Sequence, residues 1–358
     1  MAPSRRTFIR RLAAAACALN LPACHKSTGP DAAHRPPTPG ESMAYEPIYL
    51  QTERTGKLEK IETDLWNILE SCRLCPRGCG VDRLKGEKGF CSSTDKLKVH
   101  TAHLHFGEEK PLVGRGGSGT IFFSNCNLLC CFCQNWEINH RGDGNYITHE
   151  QLAFMMLELQ KRGAHNINLV TPTHVVPHIV KALRIASSKG LRLPLVYNTG
   201  AYDNVEVIRM LDGIVDIYLP DFKYQDGTLA GKYSSGASDY PAVAAEVIKE
   251  MHRQVGILEV DDEGVARRGL IIRHLVMPDN IAGTDRFVQW VARDLSPDTY
   301  VNIMDQYRPC GLAYKEKTLT RCITQAEYEA SVEAAHEEGI TRLDRRERKG
   351  MAFRRPDE

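Results

Sequence analysis

The sequence lacks an excess of either charge: 46 Lys and Arg stand against 45 Asp and Glu over 358 residues, a formal charge of +1. That balance gives no electrostatic footprint for a polyanion, so no nucleic-acid partner is expected. It also lacks any apolar run near the ~20 residues a membrane-crossing helix needs. Disorder is excluded as the main theme by 42% hydrophobic and 25% charged residues, which suffice for a sizeable core. What the sequence has in unusual number is cysteine, twelve in all. Cys17 and Cys24 are near the N-terminus, and Cys310 and Cys322 come late with no ligand spacing and are assigned no role. The other eight form two tight groups, Cys72, Cys75, Cys79, Cys91 and Cys126, Cys130, Cys131, Cys133.

Residues 1–24 carry Ser4-Arg5-Arg6-Thr7-Phe8-Ile9-Arg10 and then the short apolar stretch from Leu12 to Leu19. This order resembles a twin-arginine export signal. Leu21-Pro22-Ala23-Cys24 resembles a lipobox, with an unusual proline, in which Cys24 would be acylated. The expected location is the cell envelope, lipid-anchored after export; the alternative is an Arg-rich start on a cytoplasmic protein. Residues 25–46, with Pro30, Pro36, Pro37 and Pro39, read as a disordered tether. A cysteine-rich extension is expected over 47–116, a catalytic unit over 117–343 and a charged tail over 344–358.

From Thr120 onward, β-rich apolar runs alternate with helical patterns. The predicted strands are Thr120–Phe123, Ile167–Val170, Leu195–Thr199, Val215–Pro220, Leu270–Val276 and Tyr300–Met304. The predicted helices are His149–Gly163, Val176–Lys189, Val205–Leu211, Ala242–Val255, Arg286–Leu295 and Gln325–Glu338. Capping-box spacing marks Thr148 with Gln151, Asp203 with Glu206 and Thr324 with Glu327. Six β/α units predict an α/β fold, a partial (β/α)6 TIM-like barrel with an N-terminal cysteine-rich metal-binding extension, its chemistry at the C-terminal ends of the strands. Gly114-x-Gly116-x-x-Gly119 spells a dinucleotide fingerprint but precedes a strand where the fingerprint must follow one, so it reads as a lead-in.

Cys126-x3-Cys130-x2-Cys133 directly follows the first predicted strand. Three thiolates leave one iron of a cubane open to another ligand; a zinc site would take Cys131 or His140 as a fourth. With Phe132 as the aromatic of Cys-x3-Cys-x-aromatic-Cys, the chain resembles the radical S-adenosylmethionine (SAM) superfamily, in particular uncharacterised relatives of the pyruvate formate-lyase activating enzyme. The strings from Gly117 to Cys130, Cys133-Gln134-Asn135-Trp136, Asn166 to His174, Val196-Tyr197-Asn198-Thr199-Gly200, Asp216 to Lys223 and Ile271-Ile272-Arg273-His274 carry the likeness, which runs from about Cys72 to Leu343.

The resemblance implies that Cys126, Cys130 and Cys133 bind a [4Fe–4S] cluster, that SAM chelates the open iron and that Cys131 is a spectator. Its electron donor would be a flavodoxin or ferredoxin, and its substrate a protein or small molecule; the better-known cousins act on a backbone glycine of a glycyl-radical enzyme. A non-catalytic exported iron–sulfur or zinc protein in electron transfer is the alternative. Asp221-x-Lys223 matches a pattern that activating enzymes use near the SAM methionine, and on an extended chain the two side chains share one face. Asn198, Thr199 and Arg273 occupy analogous strand ends, with Lys223 and Arg273 as catalytic candidates. The family's Gly-Gly-Glu-like stretch is replaced by Thr171-Pro172-Thr173-His174, so Thr171, Thr173 and His174 are candidate SAM contacts, His174 also a proton donor. Upstream, Cys72-x2-Cys75-x3-Cys79-x11-Cys91 supplies four soft ligands, with zinc, an auxiliary [4Fe–4S] cluster or two disulfides all open.

Overall fold

The computed structural model describes residues 45–344; the expected signal, Cys24, the tether up to residue 44 and the tail beyond Asp344 lie outside them. Nine strands make one mixed sheet: β1 (Lys98–His105), β2 (Ser118–Phe123), β3 (Asn145–Tyr146), β4 (Ile167–Val170), β5 (Leu195–Thr199), β6 (Ile217–Pro220), β7 (Glu259–Val260), β8 (Ala266–Leu275) and β9 (Tyr300–Met304). Their order is β3-β1-β2-β4-β5-β6-β8-β7, with β9 also paired to β8. Strands β2, β4, β5, β6, β8 and β9 run parallel and are the six predicted ones, with shifted ends only at β2, β6 and β8.

Strand composition explains the layering. β5 and β6 are buried along their whole length, as parallel strands covered on both faces must be. Their side chains divide with period two. Leu195, Tyr197, Tyr218, Leu270 and Ile272 join the main core. Val196, Ile217, Leu219 and Ile271 form a second, smaller cluster with Leu112. That cluster fills the concave side, where Leu112 arrives from the turn Lys110–Val113. In the same segment Glu109 Oε1 accepts from Asn302 Nδ2 of β9 at 2.7 Å, and the Lys110 N–H donates to Asp344 Oδ1 at 3.0 Å. A loop between β1 and β2 therefore fills the sheet's interior, and the barrel is partial.

The predicted helices form at His149–Lys161, Val176–Ser188, Val205–Met210, Tyr240–Val255, Thr284–Asp294 and Gln325–Glu337. Capping boxes close at Thr148 and Thr324. The third expected cap is corrected: Asn204, not Asp203, caps Val205–Met210 by accepting from the Glu206 N–H, and Asp203 turns inward. The region 47–116 is not a separate extension. Tyr49, Leu58, Leu65 and Leu69, from Ile48–Arg54, Lys57–Asn67 and the turn after them, join the main core. The Tyr45 hydroxyl and the Ile48 N–H donate to Asp216 Oδ1 at 2.7 and 2.8 Å, and β1 pairs antiparallel with β2. No helix among the described residues is long and apolar enough to cross a membrane. Glycines of the 114–119 run serve packing: a Cβ on Gly119 would stand 2.6 Å from the Asn166 carbonyl oxygen.

Candidate active site

A cavity of about 230 Å³ opens at the C-terminal ends of the parallel strands. Strand parity decides what lines it. Asn198 follows Val196, Asp221 follows Leu219 and Arg273 follows Ile271, each two residues on from a member of the concave cluster. Asn198, Asp221 and Arg273 line the cavity with Thr171, Thr199, Phe132 and Lys223.

Asp221 holds the polar side together. Lys223 Nζ donates to its Oδ2 at 2.6 Å and Arg273 Nε to its Oδ1 at 2.7 Å. Arg273 Nη2 donates to Asn198 Oδ1 at 2.5 Å, and Nη1 lies 3.7 Å from Glu108 Oε2. Burial pushes the Asp221 carboxyl up, but Arg273 and then Lys223 outweigh it and hold it below its ordinary value. Burial pushes the Lys223 ammonium down, and Asp221 followed by Cys130 more than restores it. The site thus sets Asp221 between two cations, with Glu108 also facing Arg273, and offers the N–H donors of Lys223 and Arg273 to an acidic ligand.

Cys126, Cys130 and Cys133 line the same cavity, and the Lys223 charge acts on both Cys126 and Cys130. Each sulfur accepts from its own donor: Cys126 from the Leu128 N–H at 3.3 Å, Cys130 from Ser234 Oγ at 3.1 Å and Cys133 from Asn139 Nδ2 at 3.3 Å. Burial pushes the free thiols up, Cys130 to about 11 and Cys133 to about 12. They become thiolates only when a bound cation or cluster repays the charge. Cys131 is absent from the lining; its backbone N–H and C=O are tied to Tyr233 and Leu312. His140 Nε2 donates to the Cys130 carbonyl at 3.0 Å and its ring stacks on Trp136. Backbone strain collects here: Asn125 (φ 76°) and Leu129 (φ 51°) in the cysteine loop, Thr171 (φ 60°) after β4 and Ala201 (φ 56°) after β5. A left-handed β-branched Thr171 is an outlier of the kind that functional sites retain.

The remaining candidates divide. Thr173 is buried behind the cavity, its hydroxyl 3.2 Å from that of Thr199, which donates to Asp203 Oδ2 at 2.6 Å; Tyr197 donates to Oδ1 at 2.8 Å. His174 does not line the cavity. It is buried, donates from Nε2 to the Ser124 carbonyl at 2.8 Å and is pushed by burial down to about 4, so it is a neutral support beneath the cysteine loop and no proton donor at neutral pH. Glu108, Ser234 and Asn139 were not among the expected residues. Glu108 and Ser234 act through partners distant in sequence and Asn139 through Cys133, six residues before it; none carries a local motif.

The upstream cysteines lie against this loop. Arg77 Nε donates to the Asn127 carbonyl at 3.0 Å, Asn125 Nδ2 donates to Ser93 Oγ at 3.2 Å, and burial pushes the Cys75 thiol up to about 12, with the Asn127 side chain among its partners. Cys72, Cys75, Cys79 and Cys91 are all unbridged. Among the described residues no three His, Cys, Asp or Glu side chains converge as one metal ion requires. A cubane binds each thiolate through a different iron and so tolerates wider separation than the ligands of one ion.

The chain is 34% identical over 278 residues to the uncharacterized protein MJ0674 of Methanocaldococcus jannaschii, covering 75% of each sequence. It belongs to the family of that protein. No protein-family model matches. Solved structures with some likeness include HydG, a maturase of the [FeFe]-hydrogenase (TM-score 0.44, 10% identity, 61% of this chain), and methylornithine synthase PylB (0.40, 16%, 60%). A third is TYW1 with a lysine-pyruvate adduct bound (0.38, 8%, 61%). The chain spans 48%, 60% and 73% of those three chains. Scores this low assign this chain no activity.

Proposed function

We propose that the chain is a radical SAM iron–sulfur enzyme. The observation that carries this reading is one cavity lined both by three cysteine thiols that each accept a hydrogen bond and by the Asp221, Lys223, Arg273 cluster. The donor set fits the group: three soft ligands in a strained loop, with polar donors already directed at each sulfur. Cys126, Cys130 and Cys133 would hold a [4Fe–4S] cluster. When bound, cluster and SAM supply reductive cleavage of SAM to methionine and a 5′-deoxyadenosyl radical, which abstracts hydrogen from a substrate.

The chain's own residues do the orienting. Lys223 and Arg273 present cationic donors to a carboxylate, and Asp221 holds both in place. Asn198 holds Arg273 in register with β5. Thr199, Thr171 and Phe132 shape the wall, and Phe132 is fixed by Tyr224 and Tyr307, each with its ring centroid 6.2 Å away. The substrate is proposed to be a backbone glycine of a glycyl-radical partner, a reading that rests on the activating-enzyme resemblance; the electron donor would be a flavodoxin or ferredoxin. The resemblance of residues 1–24 to a twin-arginine signal with a lipobox supports a location at the cell envelope, attached through Cys24.

Anaerobically reconstituted and reduced protein should release 5′-deoxyadenosine from SAM, and Cys126→Ser should abolish the release. A reconstituted wild-type protein that binds iron yet releases none leaves only the electron-transfer alternative standing.

A further inference from the structure

Arg83 is a buried cation without an acid beside it. It lies in the turn Arg83–Lys85 and is 1% exposed. Its Nε and Nη2 donate to the Thr94 carbonyl at 3.1 and 2.6 Å, and Nη1 donates to the His174 carbonyl at 2.8 Å. Among the described residues no carboxylate pairs with it. Carbonyl oxygens satisfy N–H groups but carry no net charge, and a guanidinium taken out of water without a counter-charge is costly. The remaining partner is sulfur: Nη1 also lies 4.0 Å from Cys72 Sγ.

Cys72 belongs to a folded ligand loop. Its N–H donates to the Val81 carbonyl and its carbonyl accepts from Gly80, so Cys72 and Cys79 are brought onto adjacent strands of one turn. Cys79 Sγ accepts from the Phe90 N–H at 3.3 Å, and a Cβ on Gly89 would stand 3.0 Å from that sulfur. Donors aimed at three of the four sulfurs, with the Asn127 side chain on Cys75 and a full cation on Cys72, suit thiolates and not the neutral sulfurs of disulfides. Thiolates around one zinc would also be anionic, yet must converge on a point, and among the described residues no such convergence exists. The geometry points to a second iron–sulfur cluster held by Cys72, Cys75, Cys79 and Cys91 as thiolates, with Arg83 as its buried counter-charge.

The test uses the full chain with Cys126, Cys130 and Cys133 all replaced by Ala, reconstituted anaerobically with iron and sulfide. About four irons and four sulfides per chain should remain, with a paramagnetic signal that appears on one-electron reduction. Absence of bound iron, one zinc per chain in its place, or four cysteines that resist alkylation until reduced would overturn the proposal. In the same background Arg83→Met should lower the midpoint potential of that signal, because the cation favours the more negative reduced state. Arg83→Lys should return it toward the starting value. A purely structural Arg83 would shift stability and leave the potential of the folded fraction unchanged, which refutes the counter-charge role; should Arg83→Met not fold, the lysine variant's potential and the iron count still decide. The tested protein lacks the cavity cysteines, so its result is independent of SAM cleavage.

Discussion

Asp221 is the residue on which the polar wall depends, because it is the shared partner of two cations that are only about one-fifth exposed. Replacing it by Asn leaves Lys223 without a carboxylate and Arg273 with Glu108 alone, 3.7 Å away. Removal of one partner from such a group costs about 3 kcal/mol, the low end of the range for buried pairs because the cavity admits solvent. Asp221→Asn should therefore lower the denaturation midpoint and weaken SAM binding, both readable by denaturant titration and equilibrium dialysis; an unchanged midpoint would show the cations to be paired elsewhere. His174 contributes to the pH dependence beside His178 and His274, which burial also pushes down. Its folded imidazole titrates near 4 because of burial, then Arg83, against an unfolded value near 6.5. The unfolded chain takes the proton first, so stability present above pH 6.5 is lost as pH falls toward 4, by roughly 3 kcal/mol. Stability of a His174→Gln variant, which keeps a donor for the Ser124 carbonyl, should lose most of that slope.

The elements carry a different kind of constraint, set by backbone approach and caps. Gly119 sits where β2 and β4 pair, and the added methyl of Gly119→Ala would meet the Asn166 carbonyl at 2.6 Å. Backbone cannot yield as a side-chain tip does, so this change should cost about 1–3 kcal/mol by thermal or denaturant unfolding. Thr148→Ala, which removes only a cap hydroxyl, should cost about 1 kcal/mol. If the two prove equal, the parallel strands are less tightly apposed than described. The same elements show what was legible in the sequence. Six parallel strands were readable because both faces are covered and the runs are apolar. β1 was not: Lys98–His105 carries three histidines and is mostly half-buried, so no run or clean alternation marks it as a strand. The cap at Asn204 was misread because Asp203 also has the right spacing; a hydroxyl pair from Tyr197 and Thr199, invisible locally, draws Asp203 inward.

At the scale of the whole molecule, the motif residues were legible and their supports were not. Cys126, Cys130, Cys133, Asp221 and Lys223 announce themselves by spacing, whereas Glu108 and Ser234 reach the site only through folding, Asn139 reaches Cys133 through the short helix Trp136–Asn139, and His174 is drawn toward the site by its sequence neighbours while the turn buries it. The proposed leader raises a question of place. A twin-arginine route carries folded proteins, so a cluster inserted before export is compatible with the Arg5-Arg6 signal, while lipidation at Cys24 would hold the catalytic unit at the envelope by a tether of residues 25–46. Acylation adds ~0.8 kcal/mol per buried methylene, enough for anchoring when more than one chain is attached. Fractionation should accordingly find the wild-type protein with membranes. Cys24→Ala should shift it to a soluble or unprocessed form, and Arg5→Lys with Arg6→Lys should keep it inside the cell at precursor size. A wild-type protein recovered wholly in the cytosol, at full length and indifferent to all three changes, would remove the anchor and return the chain to the compartment where SAM and low-potential reductants are made.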